Sequence, residues 1–209
     1  MIKAFSAFAV LFFTGFTHSR AQTDNKFLGE AISETTYRTK WEYALQYTAP
    51  TSKTNKIRVI QTDVFFWKRY FKKIIVNMSF GISLVQANGY VNKIQETTSG
   101  FETVQVNTQG TGLGPQTQLQ FLILRFNRFS IEGEGNGSFL FFNRKFPVGG
   151  THYNLMFRTG PNVCLDVSNK YRLKAGYRWL HASNGMGYGN QNPYYEGQGI
   201  VLSLAYLIR

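Results

Sequence analysis

Lys73-Ile74-Ile75-Val76-Asn77-Met78-Ser79-Phe80-Gly81-Ile82-Ser83-Leu84 is the stretch that decides the fold class. Ile74, Val76, Met78, Phe80, Ile82 and Leu84 fall on one parity, and Lys73, Asn77, Ser79, Gly81 and Ser83 on the other. Alternation with period two marks a strand with two different faces. The same pattern recurs outward from this segment. Tyr37, Trp41, Tyr43, Leu45 and Tyr47 oppose Arg38, Lys40, Glu42 and Gln46. Near the C-terminus Ile200, Leu202, Leu204, Tyr206 and Ile208 oppose Gly197, Gly199, Ser203 and Ala205. Repeating this reading predicts eight strands, over 35–48, 56–65, 73–88, 115–126, 128–142, 152–164, 170–183 and 196–208. The second and fourth alternate poorly.

Which face is inside follows from the charges. Glu132 and Glu134 share a parity with Ser130, Asn136 and Ser138; Arg158, Lys174 and Arg178 lie on the polar faces of the next two strands. A closed lumen can hold these acids and bases as mutual partners, which burial of charge requires. The apolar, aromatic faces then suit lipid. The fold class expected is therefore all-β: an eight-stranded antiparallel transmembrane β-barrel of the outer-membrane type. A soluble eight-strand barrel with an apolar lumen is the alternative architecture. The intervening segments favour the membrane reading. Long loops are expected at 49–55, 89–114, 143–151 and 184–195 on one side, and short turns at 66–72, 127 and 165–169 on the other.

Residues 1–21 read as a secretory signal: Lys3 supplies the positive start, Ala4 to Phe16 an apolar run, and Ser19-Arg20-Ala21 a cleavage site. A single barrel domain then fills 22–209. No later segment is apolar enough for a membrane helix. Removing Lys3 and Arg20 lowers the formal net charge from +12 to +10. That balance suits an anionic partner, and for an exported chain phosphorylated lipid fits better than nucleic acid. The single cysteine, Cys164, excludes an internal disulfide.

After the leader only His152 and His181 remain, too few for a histidine-rich metal site. No acidic cluster suggests calcium either. No cofactor is expected. His181, however, stands in Tyr177-Arg178-Trp179-Leu180-His181-Ala182-Ser183-Asn184-Gly185. His181 and Ser183 share one face with Tyr177 and Trp179, opposite Lys174 and Arg178. Glu196 has the parity of Ile200 and Leu202, and antiparallel pairing brings it toward His181. These are a nucleophile, a base and an acid that fixes the imidazole tautomer. Asn184, Asn192 and the amides of 185–189 are candidate oxyanion donors.

The His-x-Ser-Asn-Gly stretch and the later Asn-x-x-x-Glu element resemble those of the outer-membrane lipid A deacylases, the PagL-like acyloxyacyl hydrolase family. The resemblance spans roughly 177–200. It implies an enzyme that hydrolyses a 3-O-linked acyl chain of lipid A in lipopolysaccharide. It also implies Ser183 as nucleophile, His181 as base, Glu196 as orienting acid and Asn192 as oxyanion donor, with Asn184 supporting that pocket. The C-terminal Arg209 departs from the aromatic end many such barrels carry. Arg144, Lys145 and Lys53 are candidate partners of the lipid phosphates. Two other functions stay open: a non-catalytic barrel for adhesion, ligand binding or membrane stability, and a phospholipase using the same residues. Whether the barrel forms a homodimer also stays open.

Overall fold

The computed structural model describes residues 38–51, 55–71, 76–98, 100–184 and 194–208. The expected leader lies outside them. Eight strands form: β1 (Arg38–Pro50), β2 (Asn55–Phe71), β3 (Val76–Thr97), β4 (Gly100–Phe126), β5 (Phe129–Phe146), β6 (Thr151–Asp166), β7 (Tyr171–Ser183) and β8 (Tyr195–Ile208). Each pairs antiparallel with its neighbour, and β1 pairs with β8, closing the barrel. The shortest has 13 residues, more than the roughly 9–11 a tilted strand needs to cross a bilayer.

The two faces separate as their chemistry requires. Tyr43, Leu45 and Tyr47 of β1 are 46%, 48% and 45% exposed, while Glu42 and Gln46 between them are buried. Ile82 and Leu84 of β3 point out, as do Leu155, Phe157, Ile200 and Leu202. An apolar band around a whole circumference has no place in water, where even the largest exposed patches are small. The inside-polar arrangement overturns the soluble-barrel alternative, whose lumen would be apolar throughout.

Inside, the charges pair. Arg158 Nη1 lies 2.7 Å from Asp63 Oδ2 and also donates to Gln46; its Nη2 donates to Gln116. Arg178 reaches Glu134 at 2.7 Å, and Lys174 reaches Glu42 at 2.7 Å. Arg172 bridges Glu132 and Asp166 nearer the end of short turns. Removing any one partner would strand a buried charge, so these pairs hold the lumen as a set.

The lumen is not polar along its whole length. Toward the opposite end Ile57, Val59, Val85, Leu140, Phe142, Phe146, Met156, Leu180 and Tyr195 pack into a buried apolar plug. Phe146 stacks on Phe142 at 4.7 Å between ring centroids and meets Tyr195 edge-on. This explains the poor alternation of the second strand. Its inward parity runs from apolar Ile57 and Val59 into polar Gln61 and Asp63.

Three of the expected connections are strand for part or all of their length. Residues 89–114 are not a loop. β3 and β4 pair without a break from Val76↔Phe121 to Thr97↔Gly100. β2 follows β3 only to Asn55↔Val91, and β5 follows β4 only to Gly112↔Phe142. Beyond those points the two strands continue as a two-stranded ribbon. Polar residues stand on both of its faces, with Ile94, Phe101, Val104 and Val106 scattered among them, which hid the alternation, yet the β-branched residues favour extended backbone. Likewise the expected turn at 66–72 is strand as far as Phe71, and the expected loop at 143–151 is strand to Phe146.

Candidate active site

β7 and β8 build the site by parity. Lys174 and Arg178 are buried in the lumen, so Tyr177, Trp179, His181 and Ser183 project outward. On β8, Val201, Ser203 and Ala205 face in and Ile200 and Leu202 face out, which puts Glu196 outside as well. The register sets His181 directly opposite Glu196. Their side chains meet, with His181 Nδ1 3.3 Å from Glu196 Oε1. Gly199 lets β1 approach β8 beside this pair; a Cβ there would run into the carbonyl oxygen of Tyr47.

The imidazole is held between two rings. Trp179 stacks on one side with centroids 6.3 Å apart, and Tyr194 on the other at 5.9 Å. The His181 and Glu196 side chains remain 27% and 34% exposed, so a substrate can reach them from the barrel exterior. Ser183 stands two residues from His181 on the same face, about 7 Å along the strand. Across β6, Phe157 lies opposite His181 and Leu155 opposite Ser183, both outward. His181 and Ser183 are thus flanked by apolar side chains. Tyr194 was not legible as part of the site, although its parity with Glu196 was the available signal.

Of the remaining expected residues, the described ones lie away from the His181–Glu196 pair. Asn184 is buried, just beyond β7 and in step with inward-facing Leu180 and Ala182. Asn192 and Lys53 lie outside the described residues. Arg144 and Lys145 line a separate pocket with Asn88, Asn107 and Thr108 at the base of the ribbon. Phe139 sits in the cross-strand row of Ser183. Lys145 is therefore about 20 Å further along its strand. Among the described residues no cluster of His, Cys, Asp and Glu could hold a metal ion. Cys164 is buried.

No protein-family model matches this sequence, and no curated protein matches it. Solved structures are similar in fold. The crystal structure of the outer membrane enzyme PagL superposes with a TM-score of 0.51 and 11% identity, covering 78% of this chain and 97% of that one. Neisserial surface protein A superposes with a TM-score of 0.44 and 9% identity, covering 80% of this chain and 94% of its own. The chain shares the eight-stranded barrel fold of the PagL structure.

Proposed function

We propose that this protein is an esterase of the bacterial outer membrane that removes an ester-linked acyl chain from lipid A of lipopolysaccharide. The observation that carries the reading is the His181–Glu196 pair, 3.3 Å apart on the lipid-facing wall, with Ser183 on the same face. The apolar band places the barrel in a membrane, and the likeness to the PagL fold supports an outer membrane. Substrate reaches the site sideways from the surrounding leaflet, its acyl chains lying against Leu155, Phe157 and Trp179.

The chemistry runs through three side chains. Ser183 Oγ attacks the ester carbonyl carbon while His181 Nε2 takes its proton. Glu196 accepts from Nδ1–H, fixing the tautomer that leaves Nε2 as base, and stabilises the imidazolium that forms. The candidate donors for the tetrahedral oxyanion are Asn192 and the amides of 185–189, outside the described residues, whereas Asn184 is turned inward, away from Ser183. Collapse breaks the ester C–O bond, and His181 returns the proton to the departing sugar alcohol. Water then hydrolyses the acyl-serine by the same base and releases the fatty acid.

Two measurements on the purified, refolded barrel test this. A fluorophosphonate should modify one serine, mapped to Ser183, and fatty acid release from lipopolysaccharide should vanish in Ser183→Ala and His181→Ala. Release from glycerophospholipid but not from lipid A would instead make the protein a phospholipase. Full activity in Ser183→Ala would remove the esterase reading altogether.

A further inference from the structure

Among the described residues next to His181, Ser183 and Glu196, no basic side chain stands ready for the charged part of an amphipathic substrate. The exterior of β2 supplies one. Ile57, Val59 and Gln61 face the lumen, so Lys56 and Arg58 face out, in step with exposed Ile60. Their position follows from register. Val59 pairs with Thr48, and Thr48 with Gly199. Arg58 and Lys56 therefore run alongside β8 from Gln198 to Glu196, with only β1 between. Thr51 N–H donates to Glu196 O, which fixes that alignment at the edge. Two inter-strand steps separate Lys56 from Glu196, about 10 Å. Long basic side chains can span most of such a gap.

Arg58 lies at the border of the apolar band. Ile60, two residues toward the middle on the same face, is 47% exposed. A lipid-facing arginine is tolerated on a barrel only near the interface, where phosphates are. Among the described residues no carboxylate forms an ion pair with Lys56 or Arg58. The lumen bases Arg158, Arg172, Lys174 and Arg178, by contrast, have acids. Two exposed cations at headgroup level, beside a carboxylate–imidazole pair, fit a lipid phosphate. Arg144 and Lys145 lie five and six residues past Phe139 of the Ser183 row, about 17 and 20 Å along the strand from it.

We propose that Lys56 and Arg58 form an anion clamp that binds a phosphate group of the acylated lipid and sets its ester against Ser183. This rests on the esterase reading for its consequence, but the clamp is testable by binding alone. The probe is phosphorylated lipid A in non-ionic detergent, compared with the same lipid after phosphatase treatment. Binding to the Ser183→Ala barrel is measured by native mass spectrometry, with heat-modifiable migration confirming the fold. Adding Lys56→Gln and Arg58→Gln should weaken binding of the phosphorylated lipid about tenfold or more, since each charge-assisted contact contributes on that scale. Binding of the dephosphorylated lipid should not change. Arg144→Gln with Lys145→Gln should leave both unchanged. In the Ser183 enzyme the Lys56/Arg58 variant should raise KM about tenfold and leave kcat within about threefold. Equal affinity of parent and variant for the phosphorylated lipid, or equal losses for both lipids, overturns the clamp. Absence of hydrolysis in the parent overturns the esterase reading and leaves the binding result to decide the clamp. Should the double variant not fold, Arg58→Lys keeps the charge but loses the planar fork, and unchanged affinity there and in Lys56→Gln would also overturn it.

Discussion

Replacing Glu134 by leucine tests whether the lumen is a paired, dry interior. Glu134 accepts from Arg178 at 2.7 Å, Asn136 at 2.7 Å, Asn162 at 2.8 Å and Gln120 at 3.2 Å. Leucine removes all four contacts. Arg178 is 1% exposed, and its remaining contacts are Asn162 and the backbone oxygens of Pro161 and Tyr177. Breaking one side of a buried pair costs about 3–5 kcal/mol. Amide donors left without an acceptor add about 1 kcal/mol or more each, less whatever water entry restores. The expected loss is therefore at least about 3 kcal/mol. Arg178→Met should cost a similar amount. The double variant should cost clearly less than the two singles together, with a coupling of about 2 kcal/mol or more. The assay is reversible urea unfolding of the barrel in lipid vesicles, followed by tryptophan fluorescence. A coupling below about 0.5 kcal/mol would show that the two groups act independently and would refute a paired lumen.

Three further outcomes are expected. Glu196→Ala should lower kcat for lipid A hydrolysis by about 10- to 1,000-fold with little change in KM; a buried triad acid is worth about 10⁴, and this partly exposed pair less. A change under threefold would remove Glu196 from the mechanism. Phe146→Ala, in the centre of the apolar plug, should lower unfolding stability by about 3–5 kcal/mol, and a loss under 1 kcal/mol would mean the plug is not packed. Deleting 94–103, which pairs only within the ribbon, should leave the urea midpoint and the hydrolysis rate unchanged, whereas loss of folding would give the ribbon a structural role.

How much was legible depended on whether a strand's two faces differ along its whole length. The first, third and eighth strands contrast aromatic or aliphatic residues with Glu42, Ser79 or Ser203, and their orientation could be read directly. The second strand could not, because Ile57 and Val59 enter an apolar plug whose existence depends on buried partners from five other strands. That blurred parity also hid the outward direction of Lys56 and Arg58. The ribbon beyond Val91 was illegible for a different reason: most of its residues are exposed, so neither face requires a run of apolar residues. The meeting of His181 with Glu196 was legible in the sequence. His181, Ser183 and Glu196 lie near a hairpin end, where parity and antiparallel pairing alone fix which side chains meet. The aromatic bracket was only half visible, since Trp179 shares the strand but Tyr194 enters through the chain preceding β8. The lumen partner of Arg158 was invisible, because Asp63 is brought to it across the barrel rather than by strand adjacency.

Mass spectrometry of lipid A, recovered from lipopolysaccharide after exposure to the purified barrel, tests the central claim most directly. The account predicts a new species lighter by one ester-linked acyl chain, with the matching free fatty acid, and neither product from Ser183→Ala. Identical lipid A spectra with and without the folded protein, or the same product from Ser183→Ala, would contradict it.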